Sequence, residues 1–224
     1  ALPCAVLSLS SAALAGPKLA IVIDDIGYGT WPVKRSLALP AGVSLGVFPG
    51  LKNSDRIAEQ AHANGHEVLL HLPMQPQASS ERLNPGTLRV DQGREAFVGL
   101  LISHLQSVPF AKGVSNHQGS LLTAEAKQMR WTMEALSSWG NLYFLDSRTT
   151  KFTVAQQAAA DAGIANARRH VFLDNVQTEA AVRSSLMKAV ALARKNGVAV
   201  AIGHPTAATL SVLEQALPLF DNRD

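Results

Sequence analysis

The chain has 224 residues, 47% hydrophobic and 17% charged, which suits one well-buried domain and is too short for two large ones. Its net charge of +3 comes from scattered Lys and Arg with only short pairs such as Arg168-Arg169, so it lacks the basic stripe that nucleic acid requires. The single cysteine, Cys4, excludes an internal disulfide framework.

Residues 1–15, ALPCAVLSLSSAALA, carry no charge and end in the small-x-small pattern Ala13-Leu14-Ala15. They read as the remnant of a secretory signal peptide cut between Ala15 and Gly16, leaving residues 16–224 as one exported domain, periplasmic or extracellular. The alternative is an apolar helix packed on the domain. The run is short and rich in serine for a bilayer span, so no stable membrane insertion is expected after cleavage.

From residue 18 onward, short runs rich in Val, Ile and Leu alternate with amphipathic stretches. In chain order the predicted strands are KLAIVID (18–24), GVSLGVF (42–48), HEVLLHL (66–72), AKGVSNH (111–117), NLYFLDS (141–147), RHVFLDN (169–175) and GVAVAIGH (197–204). Helical periodicity is clear over 91–106, with Asp91 as N-cap and Phe97, Leu100, Leu101 and Leu105 on one face. It is clearest over 178–196, where Val182, Leu186, Ala189, Val190 and Ala193 recur before Asn196-Gly197 stops the helix. The longest irregular piece, PMQPQASSERLNPGTLRV (73–90), reads as a loop over one end of the sheet. Seven strands with helices between them predict a parallel β-sheet covered by helices, and with neither a repeat nor an exposed heptad a monomer is expected.

The C-terminal ends of the strands carry Asp24-Asp25, Phe48-Pro49, His71, Asn116-His117, Asp146-Ser147, Asp174-Asn175 and His204-Pro205. In a parallel sheet these ends share one face, so residues far apart in sequence converge on one rim. Three of the seven histidines and a pair of aspartates on that rim predict a metal or acid–base site. One aspartate suits a metal ligand and its neighbour a general base, with His204 protonating a leaving amine. Tyr28 and Trp31 follow the Asp pair and are candidates for the substrate pocket, whereas Trp131 and Trp139 fall in or near a helical stretch and are expected to pack against it. A phospho-receiver domain also places paired acids after its first strand. It needs an acceptor Asp where this chain has His71.

The blocks IVIDDIGYG, GHEVLLHLPMQP, GVSNHQGS, LYFLDS and VAIGHP, in this order, closely resemble the divergent polysaccharide deacetylase family, exported relatives of NodB-type carbohydrate esterases, over residues 18–220. The resemblance implies an α/β fold, a distorted seven-stranded parallel β/α barrel, with a divalent metal, usually zinc, and hydrolysis of acetyl groups on a carbohydrate. It implies Asp24 as base, Asp25 and His71 as metal ligands, and His204 as catalytic histidine. Where the parent motif has a second His, four residues after the first, this chain has Gln75, so His117 on the next strand is the expected third ligand. Asn116 stands roughly where the parent family has an Arg-Pro motif, and Asp146 corresponds loosely to its fourth motif without the Trp. Asn116, Asp146 and Gln75 join Tyr28 and Trp31 as expected substrate-binding residues. The missing motifs leave the sugar open, and a binding protein that kept the barrel and metal but lost turnover is the alternative.

Overall fold

A computed structural model describes residues 16–78 and 83–220; the signal-peptide expectation lies outside the described residues. Eight strands form one parallel sheet: β1 (Lys18–Ile26), β2 (Val43–Val47), β3 (Val68–Met74), β4 (Ala111–Gln118), β5 (Tyr143–Asp146), β6 (Asn166–Arg168), β7 (Val171–Phe172) and β8 (Val198–Gly203). The intervening helices are α1 (Thr30–Ser36), α2 (Ser54–Ala63), α3 (Arg94–Ser107), α4 (Ala126–Trp139), α5 (Ala155–Asp161) and α6 (Glu179–Asn196), with α7 (Ala207–Ala216) after the last strand. None of the described helices is long and apolar enough to cross a membrane.

The strand order is β6-β5-β4-β3-β2-β1-β8-β7. Its two ends, β6 and β7, are separated in sequence only by Arg169 and His170, so the chain itself crosses the seam and the sheet curls into a distorted barrel. Seven strands were expected because in this segment, 166–175, only 169–175 reads as a strand, and β6 lies before it. In the structure the segment exchanges partners: β6 pairs with β5, Arg169 N–H donates to the Asp146 carbonyl, His170 N–H donates to the Val200 carbonyl, and β7 pairs with β8. Neither half is longer than three residues.

Two-residue alternation divides the strands between two cores. One set of side chains, including Ile21, Ile23, Leu45, Leu70, Leu72, Val114, Phe144 and Ala201, packs outward under the helices. A smaller set, Val22, Leu69, Leu145, Val200 and Ile202, fills the barrel interior with Tyr143 and Ala167 against it. The Tyr143 ring takes the space left by Gly113, where a Cβ would come within 2.6 Å of it. Two residues further along their strands stand Asp24, His71, Ser147 and His204, so a polar layer sits on the apolar one.

Helix α6 is delimited as its sequence predicts: the Thr178 side chain accepts from Ala181 N–H, and Gly197 ends the helix at φ 81°. The N-cap of α3 is Gly93, two residues later than expected; Asp91 is ion-paired with Arg89 and does not cap the helix. Trp131 packs edge-on against Phe97 between α3 and α4, in the flanking role expected of it.

His104, 5% exposed on α3, holds the 83–90 loop through Nε2 and the Gly86 carbonyl at 2.7 Å. Burial lowers its pKa from 6.5, with the Gly86 bond opposing. The folded state therefore disfavours the imidazolium, and this contribution to stability is present above about pH 6.5 and lost as pH falls below it. Urea unfolding is expected to show wild type losing more stability than His104→Gln between pH 7.5 and 5.

Candidate metal centre and acid–base site

Adjacent residues of a regular strand face opposite ways, yet Asp24 and Asp25 both reach the barrel mouth. The pairing of β1 with β2 breaks register between Ile23 and Ile26, and Asp25 takes a left-handed backbone at φ 59°. This bulge re-aims Asp25 toward the mouth. Aspartate tolerates that conformation better than most residues.

Asp25 Oδ1 lies 2.8 Å from His117 Nδ1 and 3.1 Å from His71 Nε2, and the two nitrogens are 3.2 Å apart. Oδ1 is buried and has no hydrogen-bond partner among the described residues. Burial opposes ionisation of Asp25, but His117 and His71 outweigh it and hold the carboxyl well below the usual carboxylate range. Two donors each about 2.1 Å from a shared ion lie roughly 3.0 Å apart at right angles and roughly 3.4 Å apart at the tetrahedral angle, so this triangle of one oxygen and two nitrogens has the spacing of ligands on one side of a small divalent cation.

The neighbouring groups fix which nitrogens carry lone pairs. His71 Nδ1 is 2.8 Å from Ser115 Oγ and 3.2 Å from Asp24 Oδ1, and the Ser115 hydroxyl donates to Asp24 Oδ1 at 3.0 Å. With Ser115 donating to Asp24, His71 Nδ1–H donates to Ser115, which leaves Nε2 unprotonated toward the triangle. His117 Nε2 faces the Asn84 amide nitrogen at 3.0 Å. A ligating His117 needs the reversed amide, with Asn84 Oδ1 accepting from Nε2–H, and a half-turn of the side-chain amide supplies it. Ser115→Ala is expected to weaken metal binding 10- to 100-fold, measured by competition with a chelator, because His71 loses the partner that fixes its tautomer.

Asp24 is 1% exposed and packs over Gly46, where a Cβ would stand 2.0 Å from Oδ1. Burial raises its pKa, with His71 the largest opposing influence. Its Oδ2 carries no hydrogen bond among the described residues.

On the far lip, His204 is fastened to Asp174. Its backbone N–H donates to Asp174 Oδ2 at 2.7 Å, its Nδ1 lies 3.1 Å from Oδ1, and Thr209 Oγ1 donates to Oδ2 at 2.8 Å. His204 Nε2 points inward, 3.8 Å from Asp25 Oδ2. Burial opposes its charge, but Asp174 and Asp25 overcome this and raise the pKa to about 9.

The expected substrate residues separate into two groups. Tyr28 stands at the mouth, its ring 5.1 Å from Phe48 and its hydroxyl 3.5 Å from Asn84 Oδ1; Phe48 in turn packs edge-on against His71 and His117. Trp31 is 52% exposed beneath the Arg35 guanidinium, one turn away on α1. Asn116, Asp146 and Gln75 do not face the mouth, which corrects their expected role. Asn116 is 1% exposed, donating to the Gln118 carbonyl and accepting from Ser147 N–H. Asp146, equally buried, accepts from Arg148 N–H and Thr153 Oγ1. Gln75 Oε1 accepts from Val90 N–H and latches the 83–90 loop. For Asn116 and Asp146 alternation turns the side chain away from the mouth, whereas Gln75 lies beyond β3 and is held by the loop backbone.

Sequence reasoning missed Ser115, Asn84 and Asp174 as supporting residues. Asp174 stood among the strand ends without a role, and Ser115 shares the face of His117 two residues on. Nothing local marked Asn84.

The fold and rim define a class, the deacetylase-type β/α barrel. Similar solved structures include an uncharacterized protein of Agrobacterium tumefaciens C58, with TM-score 0.83 and 24% identity, covering 89% of this chain and 82% of that one. The catalytic domain of peptidoglycan N-acetylglucosamine deacetylase from Eubacterium rectale ATCC 33656 superposes with TM-score 0.54 at 11% identity, covering 92% and 84%. At these identities the likeness is one of fold alone. The sequence profile of the divergent polysaccharide deacetylases matches residues 21–224, and the chain belongs to that family. Its relatives include YibQ of Escherichia coli K12, 44% identical over 94% of this chain, and a protein of Haemophilus influenzae Rd, 35% identical over 93%. The chain spans 65% of the length of YibQ and 74% of the Haemophilus protein.

Proposed function

We propose that the protein is an exported, metal-dependent deacetylase that removes N-acetyl or O-acetyl groups from an envelope glycan. The observation that carries this reading is the Asp25–His71–His117 triangle flanked by one anchored carboxylate and one anchored imidazole. Asp25, His71 and His117 would hold the metal, zinc by the chemistry of the donors. When bound, it polarises the acyl oxygen and acidifies water.

The chain's own groups supply the proton transfers. Asp24, its Oδ1 fixed by Ser115 and His71, keeps Oδ2 free to take the proton of the attacking water. His204, oriented through Nδ1 by Asp174, presents Nε2 to the leaving group and gives it a proton. Phe48 and Tyr28 form an aromatic wall at the mouth on which a sugar ring can stack.

A second reading, a glycan-binding protein without turnover, is favoured by one observation: Asp24 is almost fully enclosed. Amine release from acetylated chitooligosaccharide or peptidoglycan fragments by zinc-loaded protein decides between the two. Metal binding without hydrolysis of either would favour the binding protein. Export is tested by N-terminal sequencing of the native protein, which should begin at Gly16.

A further inference from the structure

The barrel seam places a charged group beside the site that the mechanism above does not use. Arg169, between β6 and β7, is half-buried and lies two residues beyond the inward-facing Ala167. Its Nε donates to the Ser147 carbonyl at 2.7 Å and an Nη2 N–H donates to the Arg148 carbonyl at 3.0 Å. Those bonds use the side edge of the guanidinium and leave the end-on fork of Nη1 and Nη2 open. The group lies 4.8 Å over the Phe172 ring, and that ring is 5.2 Å from the His204 ring. Among the described residues no carboxylate pairs with Arg169 or Arg148 within 4.0 Å.

Independently, the Ser147 hydroxyl is buried, in a residue only 4% exposed, and has no hydrogen-bond partner among the described residues. It follows Tyr143 and Leu145 on the inward face. Two arginines that share the single buried carboxylate of Asp146 without a close ion pair, and an unused buried hydroxyl, are both costly for folding alone, and an anion offsets both. Burial and then the positive charge of Arg148 depress the pKa of Arg169, with Asp146 opposing, as expected for two cations sharing one carboxylate.

We propose that Arg169, backed by Phe172 and assisted by Arg148 and Ser147, is a carboxylate-recognising subsite, so that the preferred substrate is an acetylated glycan with a carboxylate on a sugar close to the acetyl group. The planar fork suits a carboxylate bidentately, and its place one aromatic ring from His204 sets the anion next to the reacting centre. This inference rests on the deacetylase reading of the site.

Binding is measured by calorimetry on zinc-loaded protein carrying Asp24→Asn, so that turnover does not consume the probes. Two tetrasaccharides distinguish the source of the carboxylate: one alternates N-acetylglucosamine with glucuronic acid, the other with N-acetylmuramic acid, and each is compared with its methyl ester. At least one acid should bind on the order of tenfold more tightly than its ester, as a charge-assisted pair predicts. Adding Arg169→Gln should remove that preference while ester binding stays within about twofold. Equal binding of acid and ester, no binding of either acid, or a preference that survives Arg169→Gln overturns the subsite. If Arg169→Gln does not fold, Arg148→Gln should reduce the preference, and the acid–ester comparison in the Arg169 protein stands without either variant. Amine release by the protein with Asp24 intact is scored separately: acid-selective binding without hydrolysis of any probe would sink the deacetylase reading and leave the subsite in place.

Discussion

Asp24→Asn is expected to lower turnover by about 10² to 10⁴ while leaving metal content unchanged, the range general acid–base catalysis supplies. The substitution keeps a carbonyl oxygen for the Ser115 hydroxyl, so His71 stays oriented, but removes the group that takes the proton. Metal analysis alongside kcat on an acetylated chitooligosaccharide checks both halves. Loss of metal together with activity would show that Asp24 serves only to hold His71. His204→Ala completes the comparison, because an amine leaves poorly without a proton whereas an activated acetate ester needs little help. Activity on amides should fall much further than on esters; equal losses would assign His204 to orienting the substrate or stabilising the oxyanion.

His71→Ala is expected to weaken metal binding by more than about 10²-fold, beyond the 10- to 100-fold that losing an outer partner costs, because it deletes a ligand and the anchor shared with Ser115 and Asp24. The residue is 2% exposed, so the variant should also lose stability by about 1 to 3 kcal/mol for the unfilled, unpaired space. Folding should remain cooperative, since the apolar layer of Val22, Leu69, Leu145, Val200 and Ile202 lies beneath the site and is untouched. Titration with zinc and a thermal melt of the metal-free protein measure the two effects. Near wild-type zinc affinity would remove His71 from the metal centre.

The seam and its arginine bear on how this barrel is built. A strand that changes partner leaves backbone groups to be satisfied at the crossing, and the Arg169 side chain takes two of the exposed carbonyls there. The same residue can therefore close the barrel and present charge at its mouth. A lysine has no planar fork with which to do both.

The sequence by itself determined the parallel α/β class, seven of the strand segments, the limits of α6 and the set of acids and histidines on the rim. These follow from hydrophobic period, capping residues and the rule that parallel strands end on one face, all of which are local or topological. Only the tertiary structure decided which rim residues point inward. Asp146 and Ser147 are neighbours, as are Asn116 and His117, and alternation alone says that they face opposite ways without saying which way is the mouth. The bulge at Asp25 then resets that alternation, and its position depends on how β1 meets β2. The unexpected short strand β6 has the same origin, since a change of pairing partner is a property of two neighbouring strands. Ser115, Asn84 and Asp174 became legible last because they act through hydrogen bonds to residues 44, 33 and 30 positions away, and such bonds are set by how strands and loops pack together.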